Sequence, residues 1–270
     1  MTERTATGHG SMQDSIDVLT HGELTVEGRL VDASNTTLRC TVELGDRTIR
    51  CVYKPVAGER PLWDFPDGTL AGREVAAYLV AAAMQWPLVP PTVRREGPLG
   101  VGACQLWIEE SDEALVGFVP EGELPTGWHP VAAARDGEGN PYILAHAEDA
   151  RLAQMAIFDV VVNNADRKGG HVLVGSDGRL YGVDHGVCLH REPKLRTVLW
   201  GWVGQPLPPE AEPALARLAA RLDGGLADEL ADLLTDAEVA ALVARVEQLR
   251  AEGRFPQPNP ASPTMPWPPI

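Results

Sequence analysis

Apolar and polar positions alternate over residues 23–31 and again over 38–44, with a break at Ala33-Ser34-Asn35-Thr36-Thr37 between them. Gly45-Asp46 is a turn signal, and residues 48–53 continue as a third strand, so the pattern predicts a three-stranded meander with short turns. The period then changes. Val75, Tyr78, Leu79 and Ala82 share one face of a helix over residues 72–84, which Pro87, Pro90 and Pro91 stop. Residues 103–108 have strand length, while 109–140, rich in Gly, Pro and acids, predict a loop. Residues 148–162 are apolar nearly all round and predict a buried helix. Short apolar pieces at 172–174 and 181–183 flank the turn Ser176-Asp177-Gly178 and predict a small hairpin. Helices are expected over 209–222, 225–234 and 236–252, the last capped at Thr235 or Asp236.

Strands first and helices later is an α+β pattern with two lobes. The expected division is a flexible start at 1–15, a mostly-β lobe with one helix at 16–110, a mostly-α lobe at 111–254 and a tail at 255–270. The tail holds seven prolines and can form neither a helix nor a central strand. It reads as an extended segment, either disordered or laid on the surface, or as a docking segment for a protein partner.

Charge narrows the partners. The 270 residues carry 23 Lys plus Arg against 38 Asp plus Glu, a formal charge of −15. Such a surface repels nucleic-acid phosphates and anionic bilayers, so neither nucleic acid nor a membrane is expected as a partner. There is no 18-residue apolar run, and the polar start has no signal-peptide core. Cys40, Cys51, Cys104 and Cys188 have no C-x-x-C spacing and sit among apolar neighbours, which reads as small buried residues of a cytoplasmic protein.

The chemistry concentrates in Asn163-Asn164-Ala165-Asp166-Arg167-Lys168-Gly169-Gly170-His171, between the buried helix and the hairpin. Val183-Asp184-His185-Gly186 follows at the hairpin's far end. Carboxylates on loops flanking one hairpin can converge, one taking a proton from an attacking hydroxyl and the other holding a divalent metal. Each alone is equally a turn residue. Lys54 ends a predicted strand and Glu74 opens the following helix. A strand lysine tethered by a helix carboxylate positions an ammonium on nucleotide phosphates. Separately, the first is an ordinary surface lysine and the second a favourable charge at a helix start.

The ordered set Lys54, Glu74, Asn164-Ala165-Asp166-Arg167-Lys168-Gly169-Gly170-His171 and Val183-Asp184-His185-Gly186 resembles the phosphatidylinositol 3-/4-kinase-like branch of the protein-kinase superfamily. It is similar to type II phosphatidylinositol 4-kinases and HipA-type bacterial kinases, within an actinobacterial group, over residues 22–205. The resemblance implies a two-lobed protein-kinase-like fold that binds ATP between its lobes with Mg²⁺ or Mn²⁺. It implies that Asp166 orients or deprotonates an acceptor hydroxyl, that Asp184 binds metal, and that Lys54 contacts the phosphates with Glu74 as its partner. Lys168 stands where protein kinases neutralise the transferring phosphoryl group. Ser34, Asn35 and Thr36 occupy the place of the phosphate-covering loop without its glycines, and an ordinary hairpin turn accounts for them equally. Residues 105–109, ending at Glu109, stand where a backbone hinge meets adenine.

One position departs from that pattern. The family has Asn five residues after its catalytic Asp as a second metal ligand, and this chain has His171. His171 is expected to bind a softer metal such as Mn²⁺, to bond a phosphate or Asp184, or to mark a site that no longer transfers phosphoryl groups. The expected function is an ATP-dependent kinase acting on a hydroxyl of a small molecule or protein. The alternatives are a nucleotide-binding pseudokinase scaffold and an AMP transferase. The short segment after Asp184, without an Ala-Pro-Glu element, favours a small acceptor, and Trp200 and Trp202 beyond it are expected to line an acceptor pocket or to pack a wall.

Overall fold

The computed structural model describes residues 12–30 and 35–270, and the chain divides into two compact units. The first comprises the chain up to Arg60 together with Pro91–Trp107. It opens with helix α1 (Met12–His21) and continues as strands β1 (Glu23–Arg29), β2 (Leu38–Leu44), β3 (Arg47–Pro55), β4 (Thr92–Gly97) and β5 (Gly100–Leu106). These form one antiparallel sheet in the order β1-β2-β3-β5-β4. Alternation along the strands puts Cys40, Val42, Cys51, Tyr53 and Cys104 on a buried face that Val18 and Leu19 of α1 cover. The expected flexible start at 1–15 is corrected at Met12–Ser15, which lie in α1 because its apolar side covers this sheet. Residues 1–11 and Ser34 lie outside the described residues.

The second unit comprises Pro61–Pro90 and Ile108–Ile270. Helix α2 (Leu70–Met84) starts at Thr69, whose side chain accepts from the Gly72 N–H, and ends at Gln85 with φ 59°. The expected boundary at residue 110 is therefore corrected. Ala76, Ala77, Val80, Ala81 and Met84 belong to the core of this unit, so α2 is built with the helices. The expected loop at 109–140 is corrected too, because it holds strands β6 (Val116–Pro120) and β7 (Trp128–Arg135). They flank β8 (Pro141–Ala147) in a three-stranded antiparallel sheet, with Gly122, Gly127 and Gly139 taking positive φ between strands. A half-exposed sheet with a bulge at Pro130/Ala132 shows weak alternation, and its turn residues dominate the composition.

Helix α3 (Ala150–Val161), capped by Asp149, forms the centre of the unit, followed by the hairpin β9 (Val172–Val174) and β10 (Leu180–Gly182). Helices α4 (Ala211–Leu222), α5 (Leu226–Ala231) and α6 (Asp236–Glu252) complete it, with α4 packing on both α2 and α6. The proline-rich tail lies along this unit: Phe255 is buried, and the Thr264 carbonyl accepts from Thr197 N–H at 3.1 Å. The α+β class expected from the pattern is the class observed. No helix among the described residues is long and apolar enough to cross a membrane.

Candidate functional site

The site is built around Asp159, a carboxylate on the buried side of α3 with no exposed side-chain area. It accepts from Arg167 through Nε at 3.1 Å and Nη2 at 2.9 Å, from Asn164 Nδ2 at 3.0 Å and from Thr197 Oγ1 at 3.1 Å. A desolvated carboxylate is tolerable only with this kind of full partnership. The same Arg167 donates through Nη1 to the carbonyls of His171 at 3.1 Å and Val183 at 3.2 Å, and through Nη2 to His185 Nε2 at 2.7 Å. One guanidinium thus ties together the two loops that carry Asp166 and Asp184.

Asn164 sets the local turn. Its side-chain oxygen accepts from Asp166 N–H at 3.0 Å, which fixes the backbone at Asp166. Asn163, in a left-handed conformation with φ 50°, donates to the carbonyls of His190 and Glu192 and accepts from Lys194 N–H, holding the later loop.

Four of the residues singled out in the sequence come together here. Lys168 Nζ is 3.3 Å from Asp166 Oδ2, and His171 Nε2 is 3.4 Å from Asp184 Oδ2. Asp184 takes φ 59°, and its carboxylate is the more open of the two, 55% exposed against 31% for Asp166. Burial raises the Asp166 pKa above the ordinary aspartate value, and Asp184 adds to that, while the Lys168 ammonium opposes it. Burial lowers the His171 pKa to about 4, outweighing the opposite pull of Asp184. The imidazole is therefore neutral at pH 7.

The tautomer follows from geometry. His171 Nδ1 lies 2.9 Å from the Asp166 carbonyl, which can only accept, so Nδ1 carries the proton and Nε2 turns a lone pair toward Asp184. A lone pair and a carboxylate oxygen converging at 3.4 Å fit a divalent cation, and a metal-binding histidine characteristically gives its other N–H to a carbonyl. No group of three or more His, Cys, Asp or Glu among the described residues is placed to hold a metal. Two protein ligands suit an ion completed by phosphate oxygens and water.

Glu74 is buried on α2, and its carboxylate accepts from His185 N–H at 3.1 Å, bracing the loop next to Asp184. Lys54 lies in β3 of the first unit, opposite Ala103, on the strand face away from Cys51 and Tyr53. In that unit Asn35 Oδ1 accepts from Arg60 N–H, and Thr36 N–H donates to the Gly58 carbonyl, so both positions take part in a local turn. The Glu109 carbonyl accepts from Ser176 N–H at 2.8 Å, and the chain passes from the first unit to the second just before Ile108.

Trp202 is wall packing. It is buried, lies 4.5 Å from the His146 ring and donates to Glu148 Oε1 at 3.0 Å. Trp200 donates to the Thr264 carbonyl of the tail at 2.9 Å. Asp159 and Thr197 were not evident from the sequence. The available signal was an acidic residue inside a helix that is otherwise apolar on its buried side.

Protein Rv2133c of Mycobacterium tuberculosis (strain ATCC 25618 / H37Rv) is 51% identical over 265 residues, spanning 94% of this chain and 95% of its own length. Two solved structures are similar at 12% identity: the Golgi casein kinase, over 89% of this chain and 74% of its own with a TM-score of 0.45, and the Helicobacter pylori proinflammatory kinase CtkA, over 88% and 94% with a TM-score of 0.46. Likeness at that level does not bear on function. No family model matches the chain.

Proposed function

The chain belongs to the family of the Mycobacterium tuberculosis protein Rv2133c, and we propose that it is an ATP-dependent phosphotransferase that passes a γ-phosphoryl group to a hydroxyl acceptor. The observation that carries this reading is the joining of Asp166, Lys168, His171 and Asp184 into one cluster through Arg167. Phosphoryl transfer needs little covalent work from a protein. It needs in-line placement and positive charge against the developing charge on the phosphoryl oxygens.

Asp166 is partly buried and takes the acceptor's hydroxyl proton as the acceptor oxygen bonds to the γ-phosphorus and the bond to the β,γ-bridging oxygen breaks, releasing ADP. Its raised pKa makes it a better base than a free aspartate. Lys168, 3.3 Å from that carboxylate, neutralises charge on the moving group. Asp184 and His171 Nε2 would hold a divalent ion, which supplies charge neutralisation on the nucleotide phosphates. A nitrogen ligand in that pair favours Mn²⁺ over Mg²⁺. Lys54 keeps the role implied by the resemblance, contact with nucleotide phosphates, and Lys54→Met should raise KM for ATP.

The deciding experiment follows the γ-phosphate of ATP by phosphorus NMR with Mn²⁺ for the purified chain, Asp166→Asn and Asp184→Asn. Loss of turnover by about 100-fold or more in both variants, with unchanged melting, supports the assignment. Wild-type turnover in either variant sinks it.

A further inference from the structure

The segment after Phe255 approaches the candidate catalytic loop itself. Gly169 N–H, one residue beyond Lys168, donates to the Pro269 carbonyl at 2.8 Å. Thr197 N–H donates to the Thr264 carbonyl at 3.1 Å, and Trp200 Nε1 donates to the same oxygen at 2.9 Å. Thr197 is bridged in parallel to Arg167, so both backbone donors lie next to the residues that flank Lys168 and Asp166. Pro266 and Pro269 are buried in this contact. At Gly169 a Cβ would collide with Ile270 Cδ1 and lie 3.3 Å from Val116 Cγ1, so the outer side of the loop is closed between the tail and β6.

An extended polypeptide is usually held by main-chain hydrogen bonds to donors on the receiving surface, with prolines favouring the extended form. Here the donors beside Asp166 and Lys168 already face carbonyls of the chain's own tail, in that same mode. We infer, resting on the phosphotransferase reading, that residues 264–270 fill the position a peptide acceptor would take, and that the acceptor is a small hydroxyl compound reaching Asp166 from its open side. The tail is thus a specificity-determining wall, held to the loop through its Thr264 and Pro269 carbonyls.

The test compares the full chain, a chain ending at Pro263, and full-length Ile270→Asp, which removes the packing at Gly169 but keeps the rest of the tail. Each is incubated with Mn²⁺, γ-labelled ATP and a random-sequence peptide mixture with one central serine or threonine. ATP hydrolysis and hydrogen exchange at the amides of Gly169 and Thr197 are followed in parallel. The expected result is exchange at least about 10-fold faster on truncation, and peptide labelling by both variants at least about 10-fold above the full chain. Equal labelling by the full chain overturns the inference. So does unchanged exchange, or the absence of peptide labelling in variants that still split ATP. Failure of every form to split ATP, with exchange responding as expected, locates the failure in the phosphotransferase reading, and the acceptor class falls with it.

Discussion

Arg167 and Asp159 form a fully buried ion pair in which Nη2 lies 2.9 Å from Oδ1 and the same guanidinium reaches the carbonyls of His171 and Val183. Its importance is positional. Replacing Asp159 by Ala strands a buried guanidinium, and the expected cost is about 3–5 kcal/mol in urea unfolding. Replacing the pair by Asp159→Leu with Arg167→Met removes both charges and should recover part of that stability. The carbonyls of His171 and Val183 then lose their donor, so ATP turnover should stay low. Recovery of turnover along with stability would mean that the pair does not position the site.

His171 Nε2 lies 3.4 Å from Asp184 Oδ2, so the pair would offer a metal one nitrogen and one oxygen. Asn in its place would offer a carbonyl oxygen, a harder donor that suits Mg²⁺. In His171→Asn the ratio of kcat/KM with Mn²⁺ to that with Mg²⁺ should fall by about 10-fold or more relative to the unsubstituted chain. An unchanged ratio would show that this imidazole does not touch the metal.

The parts of the fold readable from the sequence were those where neighbouring residues decide the outcome. Strands β2 and β3 alternate cleanly because one face is buried under α1, and α3 is apolar because the unit's core surrounds it. Strands β6 to β8 were hidden because Gly117, Pro130 and half-exposed alanines blur the alternation. Asp166 and Asp184 were legible as members of one ordered motif. What Glu74 does for it depends on His185 N–H, 111 positions away. Asp159 likewise acts through Thr197, 38 positions on, a distance no local pattern spans. The tail's prolines announced an extended segment, but the donors that receive it, Gly169 N–H and Thr197 N–H, belong to other parts of the chain.

Asp166 acts as a base only when ionised, and burial raises its pKa. Activity should therefore fall on the acid side at a pH above the ordinary aspartate range. The Lys168 ammonium partly offsets the burial effect, so Lys168→Met should move that acid limb to higher pH, besides lowering kcat. The check is kcat/KM for ATP measured against pH in both proteins. A limb that stays in place, or moves to lower pH, would remove Asp166 from the role of base.

His146 gives the second pH prediction, one of stability. It lies on β8, buried against the Trp202 ring; Nδ1 donates to the Ala147 carbonyl at 2.9 Å, and Nε2 accepts from Gly201 N–H at 3.0 Å. Protonation would set an N–H against the Gly201 N–H, and burial, the largest influence, lowers the pKa to about 4, outweighing the favourable Glu148 carboxylate. The unfolded chain has an ordinary histidine pKa near 6.5, so between those values it binds a proton that the folded chain does not. Stability contributed by the neutral ring is thus complete above about pH 6.5 and is lost as pH falls toward 4, by about 3 kcal/mol at most. His146→Gln keeps an acceptor for Gly201 without a titrating ring. Its unfolding free energy should fall less steeply over that window, with a residual slope from His171 and His190, whose pKa values are also lowered by burial. A slope equal to that of the unsubstituted chain would show that His146 titrates alike in both states.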